Sequence, residues 1–216
     1  MNIITSVLDL LFPPKCVFCS RILNHKDDGW CDKCTESLPW ADNSGRQSGE
    51  NFETCISPLY YRGVVRKSIL RYKFRDAQAY AKTYGKMLAE SINENPDIVY
   101  DIITWVPLSK KHEQTRGYDQ AKLLAIETAK ELSEIAIETL KKPKDIKSQS
   151  ELGNKEERIA NITDAYEPTN QGQIIGKNIL LIDDITTTGS TLDECAKTLL
   201  QAGASRVQCA TLACGE

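Results

Sequence analysis

The stretch Leu180 to Thr191, LLIDDITTTGST, places two adjacent aspartates and a run of hydroxyl residues directly after an apolar segment. The apolar residues from Ile179 to Ile182 show no polar alternation, which is typical of a strand covered on both faces in a parallel sheet. Apolar residues at helical spacing follow from Leu192 to Leu200, and Gly203 stands where a helix C-cap is expected. The segment therefore predicts a central strand, a turn that begins at Asp183, and a helix.

The predicted turn is suited to a phosphate. Ligands of open α/β sheets bind at the carboxyl ends of strands, where free N–H groups and the positive end of a helix dipole meet. Gly189 lets the backbone approach a ligand closely, and the threonine and serine hydroxyls add donors. Asp183 and Asp184 would repel a phosphate unless they face another part of the ligand, and ribose hydroxyls or a magnesium ion fit them. A phosphorylated ribose combines these features.

Other kinds of site explain this pattern less well. The sequence contains no G-x-x-x-x-G-K-[ST], which argues against a Walker-type NTPase, and no G-x-G-x-x-G after a strand, which argues against a dinucleotide fold. A simple strand, turn and helix with a capping hydroxyl is the third interpretation. A cap needs one hydroxyl, so this interpretation leaves the aspartates and the remaining hydroxyls unexplained.

The motif resembles the phosphoribosyl pyrophosphate (PRPP) motif of type I phosphoribosyltransferases. In that superfamily the acidic pair contacts the ribose hydroxyls and the loop backbone holds the 5′-phosphate. The resemblance implies a magnesium ion that accompanies PRPP. The PRPP-binding residues that it implies are Asp183, Asp184, Thr186, Thr187, Thr188, Gly189, Ser190 and Thr191.

Length and charge limit the kinds of protein that this chain can be. Its 216 residues are enough for one α/β domain and a small appendage. With 27 basic and 30 acidic residues the net charge is −3, so no global positive field favours nucleic acid or membranes.

The opening MNIITSVLDLLF is short and contains Asp9, so we expect an amphipathic helix and neither a signal peptide nor a membrane span. A cytoplasmic location is therefore expected.

Four cysteines indicate a structural zinc site. Two C-x2-C pairs are separated by an eleven-residue spacer, and each pair aims two sulfurs at one point. A redox dithiol would need only one pair, in a thioredoxin-like context that is absent here. The predicted zinc ligands are Cys16, Cys19, Cys31 and Cys34.

The chain divides into three predicted parts. Residues 1–40 hold the N-terminal helix and the zinc ribbon, the polar residues 41–52 form a linker, and residues 53–216 form the main domain. Strands and helices alternate along the main domain, which predicts a parallel sheet flanked by helices. A capping-box pattern, Asn154 with Glu157, predicts the start of one helix.

A second predicted loop follows another buried strand, and its positive charges suit the same phosphorylated ligand. The sequence LSKKHEQTRGYDQ comes after Pro107 and precedes a helix. Its cations Lys110, Lys111 and Arg116 suit a leaving pyrophosphate, although a solvated basic loop gives the same pattern. His112 shows no carboxylate partner in the sequence, so we do not assign it as a general base.

The same stretch, VPLSKKHEQTRGYDQAKLLA, resembles the V-P-L…R-G-F-N-Q-A-x-x-L-A signature of ComF-type proteins. The segments VLDLLFPPKCVFC and YRGVVRKSILRYKFR also resemble that family, as do Gln149, Leu152, Arg158, Asn161, Ala165 and Tyr166. The departures are Tyr118 and Tyr166 for Phe, and Asp119 for Asn. The resemblance implies a zinc ribbon fused to a phosphoribosyltransferase-type domain, with a role in natural competence and the uptake of single-stranded DNA.

Two functions remain open at this stage. An enzyme would displace pyrophosphate from PRPP, with Lys110, Lys111 and Arg116 as the catalytic residues, but nothing in the sequence indicates the acceptor. A binding module would use PRPP to control contact with single-stranded DNA or DNA-uptake proteins. Cations interleaved with Tyr72 and Phe74 suit single-stranded nucleic acid, although a solvated helix face explains them too. The candidate cations are Arg66, Lys67, Arg71, Lys73 and Arg75.

Overall fold

The computed structural model describes residues 13–23, 29–75, 77–143 and 165–216. The predicted N-terminal helix and the helix expected to begin at Asn154 lie outside these residues, as do Gln149, Leu152, Arg158 and Asn161. Within the described residues, strands and helices alternate and the main sheet is parallel. The predicted α/β class is therefore confirmed.

Across the described ranges of the chain, five parallel strands form the main sheet, and a separate antiparallel pair lies outside it. The sheet order is β1-β7-β6-β3, and β2 also pairs with β7. The strands of the main sheet are β1 (Cys55–Ile56), β2 (Leu59–Tyr60), β3 (Ile102–Trp105), β6 (Asn178–Thr186) and β7 (Arg206–Cys214), and the antiparallel pair is β4 (Leu140–Lys141) with β5 (Glu167–Pro168).

Helices cover both faces of the sheet. Ile179 and Leu181 of β6 belong to one apolar cluster with α7, whereas Leu180 and Ile182 belong to the cluster on the opposite face with α2, α3 and α5. Burial on both faces explains the continuous apolar run, because successive side chains of a strand point to opposite sides. The helices are α1 (Asp32–Ser37), α2 (Gly63–Phe74), α3 (Tyr80–Asn93), α4 (Lys110–Arg116), α5 (Gln120–Glu131), α6 (Gln171–Ile174) and α7 (Ser190–Gln201).

Two boundaries differ from the sequence prediction. The predicted turn at Asp183 is wrong, because β6 continues through the acidic pair and its ladder with β7 ends only at Thr186 opposite Cys214. The predicted basic loop is also wrong, since residues 110–116 form α4. Ser109 caps this helix by accepting a hydrogen bond from the backbone N–H of His112, and Gly117 ends it with a φ of 80°.

The segment that we predicted to be a linker lies against the main domain. Gln47 and Cys55 exchange two backbone hydrogen bonds of 3.0 and 2.8 Å, and the backbone N–H of Ala41 donates to the carbonyl oxygen of Pro58 over 2.9 Å. Arg46 donates to both carboxylate oxygens of Asp97 at 2.7 Å. Residues 41–52 therefore contribute contacts to the domain, and the boundaries at 40 and 52 stay a prediction.

Helices α3 and α5 cross closely at Gly85, which gives a test of the packing. A Cβ at this position would lie 2.6 Å from Cβ of Glu127 and 2.8 Å from the backbone nitrogen of Thr128. We expect Gly85→Ala to lower the free energy of unfolding by about 1–3 kcal/mol, because the helices must move apart. Urea denaturation measures this change.

Gly172→Ala is the matched control, because Gly172 lies in α6 and a Cβ there meets no atom within 4 Å. The control should be neutral or stabilising by up to about 1 kcal/mol. Equal urea midpoints for the two variants would contradict the close crossing at Gly85.

Candidate functional site: a four-sulfur cluster and a polar cavity

The four predicted cysteine ligands converge on one point. The Sγ atoms of Cys16 and Cys34 are 3.6 Å apart, those of Cys19 and Cys31 are 3.7 Å apart, and all four lie within 4.8 Å of one another. For a zinc–sulfur bond of about 2.3 Å, tetrahedral geometry places ligand sulfurs about 3.8 Å apart. The cluster therefore fits a zinc ion held by four thiolates, which leaves no open position for catalysis.

The first cysteine turn packs directly on helix α2. Arg71 donates two hydrogen bonds of 2.7 Å, one to the carbonyl oxygen of Val17 and one to that of Phe18. The Ser68 hydroxyl also donates to the Val17 carbonyl, and the buried Phe18 ring lies 6.1 Å from the ring of Tyr84 between centroids. The zinc ribbon is thus joined to the main domain by both hydrogen bonds and apolar contacts.

A polar cavity of about 420 Å³ opens at the carboxyl ends of β3 and β6. This is the edge of the sheet at which the sequence predicted a ligand site. The cavity receives residues from β6, the following loop, α2, α4 and the start of α5. The predicted site residues in its lining are Asp183, Asp184, Thr186, Thr187, Thr188, Gly189, Ser190, Thr191, Arg116 and Lys73.

The acidic pair lies at the end of β6. Asp183 accepts a hydrogen bond of 2.7 Å from the backbone N–H of Asp184. Desolvation and the neighbouring Asp184 carboxylate both raise the pKa of Asp183, in this order of importance, whereas Lys73 lowers it. Asp183 therefore gives up its proton less readily than an isolated carboxyl group would.

Lys73 extends from the end of α2 into the cavity. Its Nζ atom lies 2.9 Å from Oδ2 of Asp184, and the two side chains are 19% and 8% exposed. Burial alone would lower the pKa of Lys73, but the two carboxylates outweigh this effect and raise it. Lys73 was predicted as a nucleic-acid contact, and the structure places it at the acidic pair instead.

The hydroxyl-rich loop, Thr187 to Thr191, follows the acidic pair and leads into α7. Gly189 has a φ of 74° and is the N-cap of that helix, so the left-handed conformation explains the glycine. The hydroxyls of Thr188 and Ser190 lie 2.8 Å apart at the exposed rim. The Thr186 hydroxyl is buried and has no hydrogen-bond partner within the described part of the chain. A phosphate at this helix start would meet both backbone and hydroxyl donors.

The predicted catalytic cations are separated by the structure. Arg116 lines the cavity, where it donates a hydrogen bond of 2.8 Å to Gln120 and its guanidinium carbon lies 5.0 Å from the Phe74 ring centroid. Lys110 and Lys111 are exposed on the first turn of α4 and do not line the cavity. They remain candidates for a charged group that extends beyond the cavity mouth.

Asp119 acts as a hydrogen-bond acceptor. Its Oδ1 caps α5 by accepting from the backbone N–H of Lys122 over 3.0 Å, and its Oδ2 accepts from the backbone N–H of Leu108 over 2.9 Å. These two bonds join the loop after β3 to the start of α5. The carboxylate at this position therefore needs no donor function, and burial raises its pKa.

Sequence reasoning missed several residues of the cavity wall. Lys142 donates a hydrogen bond of 3.3 Å to the Tyr166 hydroxyl and lies 5.0 Å from its ring centroid. Both residues line the cavity with His112, whose Nδ1 is 3.1 Å from the Ser109 hydroxyl. The family resemblance marked Tyr166, but no local pattern marked Lys142, because the fold brings it to the site from a separate strand pair.

The residues predicted to contact nucleic acid, 66–75, fall into a partly buried group and an exposed group. Arg71 contacts the cysteine turn, and Tyr72 is buried and donates a hydrogen bond of 2.8 Å to the carbonyl oxygen of Gln120. The Tyr72 ring is therefore not exposed for base stacking, and Arg71 stays a prediction as a nucleic-acid contact. The exposed members of the segment are Arg66, Lys67, Phe74 and Arg75.

In the residues that the structure describes, no helix is both long and apolar enough to span a membrane.

Two domain families match the chain in succession. The double zinc ribbon domain matches residues 7–59, and the phosphoribosyl transferase domain matches residues 89–215. The first match includes the four clustered cysteines, and the second includes the acidic pair and the hydroxyl-rich loop. The predicted fold class, a phosphoribosyltransferase-like sheet with a small zinc ribbon, is confirmed.

Three similar proteins are competence proteins. ComFC of Bacillus subtilis (strain 168) is 30% identical over 66% of this chain and 56% of its own length. ComFC of Streptococcus pneumoniae is 30% identical over 68% and 62%, so the chain spans less than two thirds of either ComFC protein. Competence protein F of Haemophilus influenzae is 24% identical over 90% of this chain and 94% of its own length.

Two solved structures are similar to part of the chain. An allosteric regulatory enzyme of purine biosynthesis has a TM-score of 0.45 and 20% identity, covering 65% of this chain and 29% of that chain. A glutamine PRPP amidotransferase from B. subtilis, complexed with ADP and GMP, has a TM-score of 0.44 and 19% identity, covering 65% and 30%.

The sulfur cluster predicts that one ligand substitution removes the metal. We expect Cys34→Ser to lower zinc affinity more than about tenfold and to lower the thermal midpoint, since metal binding stabilises the folded ribbon. Zinc content after dialysis and a thermal scan measure the two effects. Cys214→Ala, outside the cluster, should keep one equivalent of zinc. A stoichiometric zinc content in Cys34→Ser would contradict the four-thiolate site.

Proposed function

Because this chain belongs to the ComF family, in which a zinc ribbon accompanies a phosphoribosyltransferase domain, we propose that it binds PRPP with magnesium in the polar cavity. The observation that carries the proposal is the convergence of the acidic pair, the hydroxyl-rich loop and Arg116 on one cavity. Such a cavity combines acceptors for a ribose diol with donors for phosphate groups.

Each part of PRPP has a chemically matched region of the cavity. The carboxylates of Asp183 and Asp184 accept hydrogen bonds from the ribose hydroxyls. The loop from Thr187 to Thr191 and the start of α7 hold the 5′-phosphate through backbone N–H groups and hydroxyls. Arg116 binds the pyrophosphate, and Lys110 and Lys111 add positive charge at the mouth. Magnesium accompanies the pyrophosphate, which reduces its negative charge.

We further propose that the protein acts in the cytoplasm during natural transformation. The names of the similar proteins, competence proteins of three bacteria, support this role. The exposed cations Arg66, Lys67 and Arg75, together with the exposed Phe74 ring, provide a surface for single-stranded DNA. Phosphate contacts and base stacking are the two interactions that such a surface supplies. DNA-uptake proteins are the partners that this role requires.

A second candidate function is catalytic phosphoribosyl transfer in nucleotide metabolism. In this reaction a nucleophile forms a bond to the anomeric carbon of PRPP, the bond from that carbon to pyrophosphate oxygen breaks, and pyrophosphate leaves with magnesium. The cavity wall also contains Tyr61, Lys142 and Tyr166, beyond the residues assigned to PRPP. This additional wall favours a second reactant beside the ribose, although it does not identify the acceptor.

Calorimetric titration of PRPP and magnesium into the zinc-loaded protein tests the first proposal. At alkaline pH, where both carboxyl groups are ionised, we expect saturable binding that weakens about 100-fold or more in the double variant Asp183→Asn, Asp184→Asn, because two charge-assisted acceptor groups are lost. Glu131→Gln with Glu134→Gln is the control, since it removes the same charge at exposed positions outside the cavity. Equal binding by all three proteins would contradict the assigned site.

Binding of labelled oligothymidylate over a range of salt concentrations tests the DNA surface. We expect Lys67→Glu to weaken binding and to reduce the slope of log affinity against log salt by about 0.7, the value for one phosphate contact on a single strand. Lys177→Glu makes the same charge change at an exposed position beside the amino end of β6, away from the polar cavity. If both variants bind alike, the DNA surface does not include Lys67.

A further inference from the structure

Lys73 differs from the other cations of α2 in its surroundings. Its ammonium group lies 2.9 Å from the Asp184 carboxylate, and both side chains are mostly buried. Arg66 and Lys67 are exposed on the same helix, Arg75 is exposed directly after it, and Arg71 is bound to the cysteine turn. A solvated basic face therefore does not explain Lys73.

The charges around the acidic pair come from several elements. Asp183 and Asp184 come from β6, Lys73 from α2, Arg116 from α4, and Asp119 from the start of α5. The same cavity is also lined by His112 of α4 and by Lys142, which follows β4. Arg116 is oriented by Gln120 and the Phe74 ring, whereas Lys73 contacts a carboxylate of the pair directly. Other titratable groups that interact with the pair or its members are Tyr72, Tyr166, Cys55, Cys195 and Cys209.

A direct contact of this kind separates the two carboxyl groups chemically. The ammonium group favours the ionised form of the carboxyl group that it touches, and an ionised neighbour disfavours ionisation of the second carboxyl group. Asp183 has no such cation in contact in the part of the chain that the structure describes. The two aspartates are adjacent in sequence but occupy different electrostatic environments.

We propose that Lys73 is a positioning residue of the phosphoribosyl site, whose direct contact holds the Asp184 carboxylate in place and balances part of the negative charge of the acidic pair. The Asp184 side chain, in contact with Lys73 through Oδ2, still has lone pairs that can accept from a ribose hydroxyl. Asp183 becomes a full acceptor when it loses its proton. The consequence for ligand binding rests on the proposed function, whereas the ionisation of the pair can be measured without a ligand.

The proposal predicts how the pair titrates in the ligand-free protein. Carbon NMR of protein labelled at the aspartate carboxyl carbon, with Asp183→Asn and Asp184→Asn for assignment, follows each group over pH. We expect Lys73→Met to shift the titration of the pair to higher pH by about one unit or more, because a contacting positive charge is lost. Lys73→Arg should restore most of the shift, since it keeps the charge. Lys177→Met, at an exposed lysine beside the amino end of β6, should leave the titration unchanged.

Loss of folding in Lys73→Met would not prevent the test, because Lys73→Gln keeps a hydrogen-bond donor and removes the charge. An unchanged titration of the pair in a folded Lys73→Met or Lys73→Gln protein would overturn the proposal. A shift that Lys73→Arg fails to restore would overturn it as well, because charge would then not be the cause.

Binding of PRPP with magnesium at several pH values gives the second measurement. In the wild-type protein the affinity should rise with pH as the pair loses its retained proton, and Lys73→Met should move this rise to higher pH by the same shift that NMR records. A pH profile that does not move despite the NMR shift would overturn the positioning of the ligand site by Lys73. Absence of PRPP binding in the wild-type protein would instead contradict the proposed function, and the NMR titration would still decide the ionisation of the pair.

Discussion

The parallel ladder between β6 and β7 runs from Asn178 opposite Arg206 to Thr186 opposite Cys214, and the polar cavity depends on its length. Because the ladder includes Asp183, paired with Thr211, the acidic pair belongs to a rigid strand. The loop that follows can then turn tightly at Gly189 into α7. Had the ladder ended at Ile182, the carboxylates would lie on a surface loop with much more conformational freedom.

The balance of charge in the cavity follows from this placement. Two carboxylates at the end of a strand covered on both faces are costly to ionise together, and the surrounding fold supplies cations from α2 and α4. Asp119 adds a third acid nearby, but its two hydrogen bonds use it to join the loop after β3 to α5. The result is a cavity that combines acidic and basic groups, with Lys73 in direct contact with Asp184. A ligand with both hydroxyl and phosphate groups suits such an arrangement.

Local pattern was sufficient to predict the central strand, the helix after it and the four-sulfur cluster. In each case the signal lies within a short stretch of sequence, as a continuous apolar run, a helical spacing or paired cysteines. The end of β6 was not predictable in this way, because it is set by the length of β7, a different strand. Helix α4 was missed because its seven residues include no buried side chain and therefore show no apolar periodicity. The contact of Lys73 with Asp184 was missed because the two residues lie far apart along the chain.

The packing of the cysteine turn on α2 limits how freely the zinc ribbon can be removed from the main domain or replaced. Arg71 and Ser68 satisfy the carbonyl groups of Val17 and Phe18, and the Phe18 ring covers part of the aromatic cluster around Tyr84. A fragment that begins after the ribbon would expose these apolar surfaces and leave the Arg71 guanidinium without its two carbonyl acceptors. The ribbon is thus an integral wall of the main domain, and exchange for an unrelated zinc module would require a matching surface on α2.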